Sequence, residues 1–401
     1  MPTFAIKRSP SRMTRAGLGL LVAATLTATA TPATAAGPHQ TPDRPRVQQA
    51  LERAIAETGL PGILAMVREG DDTWFGTAGV ADTRTGRERL PQERFRIGSI
   101  TKTFTATVVL QLVGEGKLSL DDTVEKWLPG LVRGNGHDGR LIRVRQLLNM
   151  TSGIFNHLID KEMLARMYTP AFLKHRFDRY QPRELIKIAT SNPSDFRPGQ
   201  GWTYTNTGFV LAAMIAEKAT GKTYAELVRR RIAGPLGLTG TYVPADKEVR
   251  IRGPHARHYS LLSAQESQTT TYDVTELNPS AGWAVGDMVS TAADLDRFFT
   301  ALLKGRLLPQ AQHRQMFATS VVPEGKWIPN TTYGFGVASV KLSCGATVWG
   351  MGGALPGSWS YAYGTRDASR MLVQNVNGDW KYPVASFTNV LEAEFCPAES
   401  P

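Results

Sequence analysis

Ser99 and Lys102 stand three residues apart in the stretch Phe95-Arg-Ile-Gly-Ser-Ile-Thr-Lys-Thr-Phe-Thr-Ala, at the entrance to a segment with helical character. On a helix this spacing puts both side chains on one face, so an amine can reach a serine hydroxyl and take its proton. A helix N-terminus also presents backbone N–H groups beside the serine, where an acyl oxyanion would develop. The pattern reads as a nucleophile and its base. Alone it is weak, because a chain of 401 residues contains about one such spacing by chance. An N-capping serine followed by a solvated lysine gives the same letters.

A second group lies at Tyr204-Thr205-Asn206, on a glycine-rich loop ahead of a helical run. Tyr-x-Asn in that setting can aim a phenol and an amide into one cleft. The phenol could shuttle a proton if a neighbouring ammonium lowers its pKa, and the amide could hold a carbonyl. A packed aromatic beside a helix cap is the plain alternative. Gly357-Ser358-Trp359 lacks the first glycine of a nucleophile elbow and reads as a turn.

Periodicity supplies the elements that must position these groups. Helical spacing covers 47–57, and strand-like runs follow at 63–68 and 74–80 with a turn at Asp71-Asp72. The nucleophile helix runs to about Val113, where Gly114 and Gly116 stop it. Helical patterns then recur at 144–149, 184–189, 208–219, 224–232 and 292–304. Strand signals return at 333–340, 346–349, 359–363 and 371–376, and a helix at 384–395 closes the chain. Strands from both ends around a helical middle predict one mixed sheet with an inserted lobe. We expect a single domain over 36–401, with the sheet part at about 40–116 and 300–397 and the lobe at about 117–299.

The first 35 residues read as a signal peptide: Lys7, Arg8, Arg12 and Arg15, an apolar run, then Ala33-Thr34-Ala35. The chain is accordingly expected to be secreted, with no stable membrane span after cleavage. Those four basic residues account for part of the +11 net charge. The remaining excess is spread out, and clusters such as Arg229-Arg230-Arg231 read as a solvated helix face with no nucleic-acid partner. The only two cysteines, Cys344 and Cys396, favour one disulfide in an exported chain, tying the last helix to a C-terminal strand. His255 and His258 lack a third ligand at metal spacing and read as a surface loop. No metal or cofactor is expected.

Ser-x-x-Lys, then Tyr-x-Asn roughly a hundred residues later, then a glycine-rich turn beside a C-terminal strand is the order of boxes in the serine β-lactamase and penicillin-binding protein family. The chain resembles that family, in particular its class C and D-alanyl-D-alanine carboxypeptidase branch, over almost everything after the leader. Leu112-Val-Gly-Glu-Gly-Lys-Leu-Ser-Leu-Asp-Asp, Leu147-Leu-Asn-Met-Thr-Ser-Gly, Pro235-Leu-Gly-Leu, Leu342-Ser-Cys-Gly and Glu394-Phe-Cys carry the likeness. It implies an α/β, β-lactamase/transpeptidase-like fold, with a mainly antiparallel sheet flanked by helices and a mostly helical lobe. It implies that Ser99 forms an acyl-enzyme while Lys102 and Tyr204 share the proton work, with the choice of base left open. Asn206 would hold Lys102 and the substrate amide, and the N–H groups of Ser99 and Ala354 would form the oxyanion hole.

The third box departs from the family. Where relatives carry Lys-Thr-Gly or His-Thr-Gly, this chain has Met351-Gly352-Gly353. A cation and a hydroxyl are missing from a substrate-binding strand, and such groups make a contact to a carboxylate strong. Val337-Ala-Ser-Val beside it supplies no arginine, and the direction of Lys341 is open. Three readings result: a hydrolase of D-alanyl peptides, with a peptidoglycan stem peptide as the candidate substrate; an esterase or transacylase on substrates without that carboxylate; and a non-catalytic binding protein. Intact Ser99, Lys102, Tyr204 and Asn206 disfavour the last. A monomer acting on a small-molecule or peptide substrate is expected.

Overall fold

The computed structural model describes residues 43–263, 269–381 and 383–397, so the predicted leader lies outside the described residues. Helix α1, Pro45–Thr58, starts on a proline whose missing N–H costs nothing there, and ends at Gly59 in the left-handed region (φ +66°). Val47, Ala50, Leu51 and Ala54 form its buried stripe. The hairpin β1 (Gly62–Glu69) and β2 (Asp72–Gly79) follows.

The other sheet strands come from the C-terminal third: β3 (Ser320–Val321), β4 (Thr331–Tyr333), β5 (Ala338–Lys341), β6 (Thr347–Leu355), β7 (Ser358–Gly364) and β8 (Arg370–Val376). Their order is β2-β1-β8-β7-β6-β5-β4-β3, and every ladder is antiparallel. Ile63 opposite Val376 joins the two ends of the chain. The parallel pairings seen are isolated bridges, Arg94 with His255 and Tyr259 with Gly378.

Each sheet face carries a layer. On one, α1 and the closing helix Val384–Phe395 pack with Tyr361, Tyr363, Leu372 and Val376. On the other lies α2, Thr101–Gly114, entered through a tight turn at Gly98–Ile100. Eleven of its 14 residues are buried, so it is a core helix with no solvated face. Its hydroxyls therefore need internal acceptors: Thr103 donates to the Gly336 carbonyl at 2.6 Å and Thr105 to the Ala284 carbonyl at 2.7 Å. The Phe104 and Phe298 rings stack at 3.7 Å. The lobe contributes α3, Thr207–Thr220, which packs on α2. Helix α4, Ala292–Leu303, straddles the expected lobe boundary and is joined to β1 by Arg68 and Asp296 at 2.8 Å.

The structure corrects three sequence expectations. The single strand expected at 333–340 is a hairpin, β4 and β5, reversed at 334–337 where Gly336 has φ +70°. The short strand expected at 346–349 runs to Leu355 straight through the glycines. His258 is fully buried under Gly357, so the surface-loop reading fails for it. The disulfide forms as expected, linking Cys344 in the β5–β6 turn to Cys396 at the end of the closing helix, with Cα atoms 5.8 Å apart.

Candidate active site

The turn that carries Ser99 is pressed against β6. A Cβ on Gly353 would lie 2.1 Å from the Ile97 carbonyl oxygen and 2.5 Å from the Ser99 nitrogen. A Cβ on Gly98 (φ +50°) would lie 2.3 Å from the Ala354 nitrogen. Only glycine at both positions lets the two backbones come this close. The result is a pair of peptide groups, at Ser99 and Ala354, beside one serine hydroxyl.

Lys102 lies one helical turn on. Its Nζ is 2.9 Å from Ser99 Oγ, 2.6 Å from Asn206 Oδ1 and 3.1 Å from the Val285 carbonyl oxygen. It is completely buried, and no carboxylate among the described residues pairs with it. Burial without a counter-charge pushes its pKa well below the usual lysine value. The Tyr204 ring lies 4.8 Å from Nζ, and its hydroxyl neighbours Ser99. Burial pushes the phenol the other way, above the usual tyrosine value, with the Ser99 hydroxyl opposing. Trp327 stacks on the Tyr204 ring at 5.4 Å and 15°, and Tyr333 meets it edge-on at 6.2 Å. These rings supply the dry surroundings.

Asn206 lies at the N-terminus of α3, where Thr207 anchors it by donating to the Phe155 carbonyl at 2.7 Å. Asn156 accepts from Asn206 Nδ2 at 3.1 Å. His157 is buried behind, with ring nitrogens 3.1 Å from Thr207 Oγ1 and 3.0 Å from the Ala281 carbonyl. Burial drops its pKa to about 4, so it is neutral. Sequence reasoning missed Asn156, His157, Val285 and Trp327. The signal for the first two was their position three and four residues after Leu147-Leu-Asn-Met-Thr-Ser-Gly.

A cleft of about 200 Å³ opens at Ser99. Asn156, Asn206, Gly286 and Ala354 line it, and Leu158, Ile159, Leu164 and Tyr168 form an apolar wall whose outer members are solvent-exposed. Among the described residues that line it, none is basic. Met351 does not line this cleft; its side chain is fully buried in the core beside α2. Gly352 faces the opposite side of the sheet, where a Cβ would meet the Tyr361 ring at 2.4 Å. Gly353 backs the serine turn, and Ala354 borders the cleft. Lys341 pairs with Thr347, roughly 20 Å along β6 from Ala354. Ser358 is buried, donating to the Arg96 carbonyl at 2.9 Å, and opens β7.

Known proteins share this layout. The family described as Beta-lactamase matches residues 47–394. The D-stereospecific amidohydrolase from Streptomyces sp. superposes with a TM-score of 0.82 at 48% identity, covering 88% of this chain and 99% of that one. The D-amino acid amidase from Ochrobactrum anthropi SV3 superposes with a TM-score of 0.74 at 28% identity, covering 87% and 97%. Penicillin-binding protein 4* of Bacillus subtilis is 26% identical over 301 residues, 73% of this chain and 62% of its own length. Esterase EstB of Burkholderia gladioli is 34% identical over 209 residues, 51% and 52% of the respective lengths. The chain thus spans about half to three fifths of the length of these two curated relatives. With a family match along nearly all the described residues, the chain belongs to the beta-lactamase family.

Proposed function

We propose that the protein hydrolyses amide or ester bonds of substrates that carry no free carboxylate beside the scissile carbonyl, through an acyl-enzyme on Ser99. The observation that carries this reading is that none of the described residues lining the cleft is basic. A free carboxylate there would lose its hydration without gaining a charged partner. The names of the structural relatives supply the substrate type: an amide of an amino acid of D configuration, with the apolar wall of Leu158, Ile159, Leu164 and Tyr168 suited to a hydrophobic side chain. The likeness to an esterase supports activity on esters as well. The leader read in the sequence supports export, and no helix among the described residues is long and apolar enough to cross a membrane.

The residues divide the work as follows. Ser99 Oγ bonds to the carbonyl carbon as its proton passes to Lys102 Nζ, and the oxyanion takes hydrogen bonds from the N–H groups of Ser99 and Ala354. Lys102 is the better base because burial favours its neutral amine, whereas burial holds Tyr204 protonated. Tyr204 then gives its proton to the leaving nitrogen or oxygen as that bond breaks, and recovers one from Lys102. Water repeats the sequence on the acyl ester, releasing the acid and restoring Ser99.

Comparing kcat/KM for an apolar D-amino acid amide, its L enantiomer, a short-chain p-nitrophenyl ester and a D-Ala-D-Ala peptide tests the substrate class. The amide and ester should exceed the peptide by at least about tenfold, the loss expected when a charged hydrogen bond goes unmade. A peptide turned over best would restore the carboxypeptidase reading.

A further inference from the structure

Residues 282–287 border two cavities. Gly282, Val285 and Gly286 line the Ser99 cleft, whereas Trp283 and Asp287 line a second cavity of about 420 Å³ that shares no lining residue with the first. Asp287 is 3% exposed, and its Oδ1 has no hydrogen-bond partner among the described residues. Such a buried acceptor is costly and marks a place where a donor fits. Burial lifts the Asp287 pKa to about 7, against backbone N–H groups at Ala284 and Asp287 that favour the carboxylate. Two further acids line the same cavity. Glu217, near the end of α3, accepts from Tyr224 N at 2.7 Å and is likewise raised by burial, whereas Asp246 already pairs with Arg179. Among the described residues that line the cavity none is basic, so Asp287 and Glu217 meet no counter-charge there. Tyr224 and Trp283, edge-on at 5.6 Å, add an aromatic wall. No three His, Cys, Asp or Glu side chains among the described residues are grouped to hold a metal ion, so the acids here do not form a metal cage.

We infer that this second cavity is a binding site for an organic ammonium ion with an apolar body, separate from the Ser99 cleft, in which the ammonium group donates to Asp287 and the hydrocarbon packs on Tyr224 and Trp283. A desolvated carboxylate makes a strong charge-assisted hydrogen bond to an N–H donor, and aromatic walls favour a cation over a neutral ligand of the same shape. The site stands whatever substrate Ser99 takes. It is nevertheless next to the catalytic lysine along the chain: the Ala284 carbonyl accepts from Thr105 at 2.7 Å, and the Val285 carbonyl accepts from Lys102 at 3.1 Å. The Tyr224 hydroxyl is 2.9 Å from Thr105 Oγ1, so the aromatic wall and α2 are joined as well.

Titration calorimetry of the wild-type protein with benzylammonium chloride and with benzyl alcohol, which has the same shape without the charge, tests the site at about pH 8, where a carboxyl of pKa about 7 is ionised. The ammonium ion should bind at least about tenfold more tightly than the alcohol, and Asp287→Asn, which keeps the size of the side chain and removes its charge, should erase that difference. A crystal of the wild type soaked with para-bromobenzylammonium locates the ligand without any variant, so the site stays testable should Asp287→Asn not fold. Its bromine should appear in the cavity beside Trp283. Equal affinity for alcohol and ammonium, no binding of either at millimolar concentration, an unchanged preference in Asp287→Asn, or bromine in the Ser99 cleft alone would each overturn the assignment.

Discussion

Gly353 and Ser99 are in backbone contact: a Cβ on the glycine would stand 2.5 Å from the serine nitrogen. The third box of this chain is thus a spacer as much as a binding element. Its glycines let β6 lie against the nucleophile turn, which brings the Ala354 backbone up to the turn that carries Ser99. Gly353→Ala must push strand and turn apart, because both close atoms are backbone. Acylation should fall by about 10²-fold or more, the cost of misplacing an oxyanion donor. Burst kinetics with an activated ester would show it, and a variant acylating at the wild-type rate would remove the oxyanion assignment.

The pH dependence follows from two opposite burial effects. Lys102 acts as the free amine, and its pKa lies well below the ordinary value, so kcat/KM should rise with pH along a limb far below about 10.4. Tyr204 acts with its proton on, and burial raises its pKa, so no decline should set in near the ordinary tyrosine value of about 10. Lys102→Arg keeps a permanent charge and should cost about 10²–10⁴-fold. A rising limb at the ordinary lysine value would place the amine in water.

Trp327 enters the site by stacking on Tyr204 and meeting Tyr333 edge-on. Trp327→Ala removes an aromatic pair of about 0.5–1.5 kcal/mol and lets water reach the phenol. A two- to tenfold drop in kcat, roughly that energy expressed as a rate, should appear together with a new decline at high pH. Trp327→Phe should restore both. An unaltered pH profile in the alanine variant would mean that Tyr204 is kept dry by other groups.

The disulfide lies at the Thr347 end of β6, away from Ala354. It spans 52 residues of sequence, a loop whose closure stabilises the fold by up to about 4 kcal/mol in the chain-entropy account. Cys396→Ser should lower the denaturant midpoint by a corresponding amount while leaving kcat of the folded enzyme unchanged. A loss of kcat with an unmoved midpoint would contradict this.

Elements with strong periodicity were legible in the sequence. The closing helix, expected at 384–395, is Val384–Phe395, because Val384, Phe387, Val390 and Leu391 mark its buried face. Misreadings gathered where tertiary contact overrides local preference. Gly352-Gly353 resembles a turn, yet β6 runs through it because the serine turn needs the space. Gly336 reverses the chain inside an apolar run, against the Lys102 carbonyl, where a Cβ would come within 2.8 Å. Ser99 and Lys102 could be paired by spacing alone. The bond between Asn156 and Asn206, fifty residues apart, could not.

The central claim is that Ser99 is the residue acylated and that Lys102 activates it. Incubating wild type and Lys102→Ala with a fluorophosphonate and with an apolar D-amino acid p-nitrophenyl ester, then locating the adduct by mass spectrometry, tests it directly. The account predicts a single adduct on Ser99 in the wild type and none within the same time in Lys102→Ala. An adduct on another residue, or equal labelling of Ser99 without the lysine, would contradict it.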